Sequence, residues 1–307
     1  MRVLVTGATG VIGRRVVRLL IAEGHRVTAV ARTPQKRGQL AGTGAIPIDL
    51  DLFAGDAVRR AVAGHDAVVN LATHLPTGFS AFLPGAWATN HRIRRVASNL
   101  LVDGAIAAGA QVFVQESFAP VYPSRGDDWI DETTPIAPVH YNRTVADAEA
   151  ATARFASGGG TGVVLRFAML YGPDAWQTRE TIRMIRRGLA MMPGSPDSFI
   201  SSVSHDDAAG AVLAALDVPA GAYNVVDDEP LRRREYFDSL AKLLGVGPPR
   251  IPPAWIAPML GSVGTMLARS LRISNRKLRT QSGWRPRFPS MREGWRAVLA
   301  ASEIEAP

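Results

Sequence analysis

The chain has 307 residues, 47% hydrophobic and 20% charged, a balance that suits one large globular α/β unit or a main domain with a smaller lobe. It has no cysteine, which excludes disulfides, a thiolate nucleophile and Cys-ligated zinc. The net charge of +8 is carried by scattered arginines without basic blocks or interleaved aromatics, so no nucleic-acid groove is indicated.

The first apolar run, Val3-Leu4-Val5, has the character of a buried parallel strand and starts beside the initiator Met. That leaves no room for a signal peptide, and a cytoplasmic location is expected. The run breaks into Gly7, Gly10 and Gly13, after which 14–24 reads as a helix. A strand, a glycine turn and a helix N-terminus make an anion site, because the glycines admit a pyrophosphate to the backbone and the free N–H groups and helix dipole stabilise its charge. A second strand at 27–30 completes a βαβ unit, the context in which a glycine triplet reads as a dinucleotide loop.

The end of that second strand selects the cofactor. An acidic residue there would hold the ribose 2′-hydroxyl of NAD, but this chain has Ala31 and Arg32, followed by Lys36 and Arg37. A guanidinium binds a 2′-phosphate through charge-assisted hydrogen bonds, so NADP(H) is expected over NAD. The plain alternative is a solvated basic turn.

Further along, strand patterns at 45–48, 67–72, 111–114 and 162–166 alternate with helix patterns at 57–63, 89–108 and 141–156. This order predicts an α/β fold with a doubly wound parallel sheet of Rossmann type and right-handed crossovers. Ligands then sit beyond the strand C-terminal ends, where Asp49, residues 72–74, residues 115–118 and residues 167–169 fall. After Gly172-Pro173 the rhythm weakens. A helix at 178–190, a strand at 223–226 and a Pro-rich last third predict a smaller substrate lobe. The expected division is a dinucleotide-binding domain over 1–173, with a further strand near 222–227, and a mainly substrate-binding lobe over 174–307. The uncharged stretch 254–268 is too short and too rich in Gly and Pro for a membrane span and reads as a buried wall or subunit contact. No nucleic-acid or membrane partner is expected; a homodimer remains open.

The order of motifs resembles the extended short-chain dehydrogenase/reductase family, the epimerase/dehydratase-like group, over nearly the whole chain. Residues 6–13 match its cofactor loop, Asp49-Leu50 its acidic pair by the adenine, and Asn70-Leu71-Ala72 the strand end beside the cofactor. Arg166 with Tyr171-Gly172-Pro173 matches the segment passing the nicotinamide, and His205-Asp206-Asp207 and Gly283-Trp284-Arg285-Pro286 match later signatures. The resemblance implies a cofactor site at Gly7, Thr9, Gly10, Val11, Ile12, Arg32, Asp49, Leu50, Leu71, Ala72, Thr73, Phe167 and Met169.

The family's reacting groups are a Tyr, a Lys four residues later, and a Ser or Thr on a strand end. Here Tyr141 matches, but the Lys position is Val145 and the Ser position is Phe118, with Ser117 beside it and Glu116 before it. Tyr141 and Ser117 are the candidate catalytic residues; packing or capping are their plain alternatives. No His, Asp or Glu spacing suggests a metal site.

Without the lysine, a phenol near its reference pKa of about 10 can donate a proton but is a poor base. The reading that follows is an NADP(H)-dependent oxidoreductase reducing a carbonyl of a small hydrophobic molecule. The alternatives are an epimerase or dehydratase without net redox change, or a non-catalytic NADP(H)-binding sensor. Phe79, Phe82, Phe118, Tyr122, Met169 and Trp176 are candidates for an apolar substrate wall or for core.

Overall fold

Seven apolar runs line up in parallel: β1 (Arg2–Thr6), β2 (Arg26–Val30), β3 (Ile46–Ile48), β4 (Ala67–Asn70), β5 (Val112–Phe118), β6 (Thr161–Phe167) and β7 (Gly221–Val225). Their order across the sheet is β3-β2-β1-β4-β5-β6-β7, so the direction of winding reverses between β1 and β4. That reversal opens a crevice at the strand C-terminal ends. This computed structural model describes residues 1–301 except 77, 79, 81, 82 and 84, which leaves Phe79 and Phe82 outside the described residues.

Helices cover both faces. α1 (Gly13–Ala22) lies on one face and α3 (Gly55–Val62) on the other, with α2 (Pro34–Ala41) beside β3. On the first face Val3, Val5, Val69 and Leu165 pack against Val16 and Leu20 of α1. On the second, Leu4, Val68 and Phe113 pack against Val58, Val62, Leu101 and Phe155. Successive side chains of one strand thus feed opposite cores, which is why these strands read as continuous apolar runs. Each buried Val, Leu or Phe contributes on the order of 1.5–3 kcal/mol over exposure.

Three segments depart from the expectation. Helix 89–108 is interrupted: α4 (Ala88–Arg92) passes through a π-turn, Ile93–Ala97, before α5 (Ser98–Ala107). The helix expected to begin at 141 starts later; Tyr141 lies on a 3₁₀ turn, His140–Asn142, and α6 runs Val145–Ser157. Strand β5 extends past 114 to Phe118, because its polar second half pairs with β6, Ser117 opposite Arg166 and Phe118 opposite Phe167. The basic segment after Arg32 is helical: Thr33 caps α2, its hydroxyl accepting from the Lys36 N–H at 3.4 Å, and Pro34 begins the first turn.

Beyond β6 the chain builds the smaller lobe from α7 (Trp176–Arg186), α8 (His205–Ala214), α9 (Arg233–Leu243), α10 (Gly261–Leu267), α11 (Arg276–Ser282) and α12 (Met291–Ala301). Its own core joins Ile182, Ile185, Phe237, Leu240 and Trp295, whose ring stacks on Tyr171 at 5.5 Å. α8 and α11 instead pack on the sheet, and β7 completes its edge, so the lobe's chain is interleaved with the first domain. In the 254–268 stretch Ala257 and Met266 are buried, whereas Trp255 and Met259 face solvent. No helix among the described residues is long and apolar enough to cross a membrane.

Candidate active site

The glycine loop is built tightly enough to explain its sequence. Gly7 has φ +64°, and a Cβ there would lie 2.2 Å from the Leu71 carbonyl oxygen; a Cβ on Gly13 would lie 2.1 Å from the Gly7 carbonyl oxygen. Gly10 is the exposed crest, its N–H held by the Gly7 carbonyl at 2.9 Å. The N–H groups of Val11 and Ile12 reach no protein acceptor among the described residues, and the first turn of α1 carries no acid. Those free donors at a helix N-terminus fit a pyrophosphate, and a side chain on Gly10 would fill the space it needs.

At the adenosine end, Arg32 is exposed and makes no hydrogen bond or ion pair among the described residues. Its neighbour Arg37 is engaged, donating to Asp49 at 3.0 Å. Leu50, Leu71 and Ala72 are buried beneath the crevice and Thr73 is exposed at its edge. Arg32 thus offers, at the end of β2, a guanidinium that is unengaged among the described residues. The residues present fit NADP(H).

At the other end of the crevice, Phe167 is buried and Met169 half-buried. Tyr141 is 6% exposed, its ring edge-on to Trp87 with centroids 4.7 Å apart. Burial pushes its phenol well above the usual range, and the nearby charges of Arg94 and Arg269 oppose that shift only in part. Val145 is fully buried one turn later, so nothing in the family's lysine position lowers the phenol pKa.

Ser117 is tied into a buried polar network. Its hydroxyl donates to Glu149 Oε1 at 2.6 Å, and the same carboxylate receives Arg166 Nε at 2.9 Å and Nη2 at 2.6 Å. Arg166 Nη1 also donates to the Tyr122 hydroxyl at 2.6 Å, and burial pushes that phenol up to about 12. Through Glu149 of α6 and Arg166 of β6, Ser117 links α6 to β5 and β6. Tyr122 likewise belongs to this network, not to a substrate wall.

Sequence reasoning missed a second polar group around Tyr141. Arg94, 4% exposed on the π-turn, donates weakly to Glu116 at 3.3 Å, while Arg94 Nε, Glu116 Oε2, Asn90 Nδ2 and Asn142 Nδ2 have no partner among the described residues. π-Turns concentrate at functional sites, and this one directs Arg94 inward while Arg95 stays at the surface with Asp147. The sequence carried no signal for it, since Arg94 stands among His91, Arg92 and Arg95 and reads as one more cation of a basic turn. His74 and His140 are surface residues, and among the described residues no group of His, Asp or Glu could hold a metal.

The sequence model of the NAD dependent epimerase/dehydratase family matches residues 3–225. A Streptomyces protein named 3-diazoavenalumate denitrifying reductase is 34% identical, covering 96% of this chain and 99% of its own. A 2-alkyl-3-oxoalkanoate reductase of Stenotrophomonas maltophilia is 28% identical over 83% of this chain and 78% of its own. In fold, the chain is similar to the human epimerase family protein SDR39U1, solved with NADPH, at a TM-score of 0.81 and 23% identity over 98% and 100% of the two chains. On the family match and the length of the shared sequence, the chain belongs to the NAD dependent epimerase/dehydratase family.

Proposed function

We propose that the protein is an NADP(H)-dependent reductase of a small apolar electrophile. The observation that carries this reading is Arg32, a guanidinium without a partner among the described residues, beyond a glycine loop whose Val11 and Ile12 N–H groups reach no acceptor among them. The names of the two relatives and the NADPH in the human neighbour support it. In this reading Gly7, Thr9, Gly10, Val11 and Ile12 hold the pyrophosphate, and Arg32 the 2′-phosphate. Asp49, Leu50, Leu71, Ala72 and Thr73 flank the adenosine half, and Phe167 and Met169 the nicotinamide. Bound NADPH supplies a hydride.

The chain's own residues set the direction. A phenol raised by burial holds its proton at neutral pH, so Tyr141 can donate to a forming alkoxide but cannot abstract a proton from an alcohol. Carbonyl reduction balances as hydride to carbon and the Tyr141 proton to oxygen, with water reprotonating the phenol. A second reading is favoured by the Streptomyces relative and by Phe118 and Val145 in place of Ser and Lys. An arenediazonium that accepts hydride breaks its C–N bond, forms a C–H bond and releases N₂ with no proton transferred. It therefore needs no acid at the reacting end.

The test is NADPH oxidation against a ketone panel and against a ¹⁵N-labelled arenediazonium salt, each compared with an enzyme-free control. Alcohol formation supports the first reading and enzyme-dependent labelled N₂ the second. NADPH binding without turnover of either class would overturn the reductase reading.

A further inference from the structure

We infer that Arg94 is a positioning residue of the reaction, a buried guanidinium whose charge stabilises the phenolate left when Tyr141 gives up its proton. The inference rests on the reductase reading, since it assigns a further residue to the same chemistry.

The helical segment that carries Arg94 runs along the turn that carries Tyr141. Trp87 lies edge-on to the Tyr141 ring at 4.7 Å, His91 Nδ1 lies 2.9 Å from Thr144 Oγ1, and Arg95 Nε donates to Asp147 at 3.2 Å. Residues 87, 91 and 95 are about one helical turn apart, so one side of this segment follows the chain from Tyr141 into α6. The π-turn Ile93–Ala97 falls on that stretch. It leaves Arg95 at the surface and buries Arg94 against Glu116 of β5.

A buried arginine with a purely structural task is ordinarily saturated, as Arg166 is by Glu149 and the Tyr122 hydroxyl. Arg94 is not. Its bond to Glu116 is long, at 3.3 Å, and its Nε has no acceptor among the described residues. Asn142, next to Tyr141, accepts the Val139 N–H at 2.8 Å and leaves its Nδ2 without a partner among the described residues. Under-used donors in a buried site are preorganised for a charge that forms only during the reaction.

The other titratable groups around the turn are placed differently. Arg143 Nη1 lies 2.9 Å from the His140 ring, and both residues are exposed. Arg269, half-buried, is occupied by the carbonyls of Pro120, Tyr122 and Ala137 at 3.2, 2.7 and 2.8 Å. Burial and the neighbouring arginines push the His91 pKa down, so that side chain is neutral at neutral pH. Of the charges that oppose the burial of the Tyr141 phenol, Arg94 acts most strongly and Arg269 next.

The step balances as hydride to carbon, the Tyr141 proton to oxygen, and a water proton back to the phenolate. Burial penalises the phenolate and not the neutral phenol, and a guanidinium attracts the first far more than the second. Arg94 therefore acts on the transition state and not on the bound ketone. The charge that Val145 cannot supply comes from the neighbouring helical segment.

The test places a difluorotyrosine at position 141 of the full-length protein, its fluorines bringing the phenol into a range the fold survives, and titrates it by fluorine NMR. Arg94→Gln should raise that pKa by about one unit or more, the ordinary effect of removing one nearby charge. Arg94→Lys should recover at least part of the shift, and Arg95→Gln should produce none. Lost packing alone would expose the phenol and lower its pKa, the opposite sign. If Arg94→Gln fails to fold because Glu116 is left unpaired, Arg94→Met combined with Glu116→Leu removes both charges and should also raise the pKa. An unchanged or lowered pKa in whichever of these variants folds, or no recovery with Arg94→Lys, would overturn the inference. In ketone reduction Arg94→Gln should lower kcat about tenfold, with the KM for NADPH unchanged. The titration needs no substrate. A shifted phenol in a protein that turns over no ketone would count against the reductase reading, and an unshifted phenol in one that does would count against Arg94 alone.

Discussion

Replacing Arg32 by Gln should remove the preference for NADPH and leave NADH binding almost untouched. The side chain is exposed and bonded to nothing among the described residues, so the substitution should not disturb folding. Arg37 cannot compensate fully, because Asp49 holds it at 3.0 Å. A free guanidinium fork can make two charge-assisted bonds to a 2′-phosphate, each about tenfold in affinity after allowance for solvent screening, so the loss should be about tenfold to hundredfold. Because the screening length is about 8 Å at physiological salt, the NADPH-to-NADH ratio should also shrink as ionic strength rises, and more so in the unaltered protein than in Arg32→Gln. Fluorescence titration of both nucleotides at two salt concentrations measures all of this. Equal losses for NADPH and NADH, or no loss for either, would refute the placement of the 2′-phosphate.

The sheet and its winding were legible because a parallel strand buried on both faces reads as an unbroken apolar run, as residues 3–5 and 67–69 do. The second half of β5 was not, because Gln115, Glu116 and Ser117 are polar in sequence. Their partners Asn70, Arg94 and Glu149 are remote in the chain and become neighbours only after folding. Ser117 shows the same limit: its partner Glu149 lies 32 residues away in the chain, so adjacency in sequence does not reveal the network it joins. The glycine loop was legible because its constraint is local, a positive φ and a close backbone approach. What the family frame supplied was the list of positions; what it could not supply was the chemistry at Phe118 and Val145.

Three further outcomes are expected. Gly13→Ala should destabilise the fold outright, because its Cβ would lie 2.1 Å from a backbone oxygen that cannot swing away; a thermal midpoint unchanged within error would contradict the loop geometry. Tyr141→Phe should lower turnover of a ketone about a hundredfold, the usual scale of general acid catalysis, with NADPH affinity unchanged, and should leave a proton-independent diazonium reduction near its original rate. A loss for both substrates would point to packing against Trp87 as the residue's role. The last concerns pH. Burial, assisted by the positive charge of Arg15, depresses the His205 pKa to about 3, even though its Nδ1 lies 3.1 Å from Asp174, because Arg14 and Arg15 already neutralise that carboxylate. The unfolded chain has a His pKa near 6.5, so between these values the unfolded state binds the extra proton. Stability from this group is therefore fully present above about pH 6.5 and is lost progressively as pH falls towards 3. His205→Asn, uncharged throughout, should lower stability at neutral pH but flatten its decline on acidification. Chemical denaturation at several pH values measures the slope, and an equal slope in both proteins would mean that His205 titrates normally and that α8 does not seal it from water.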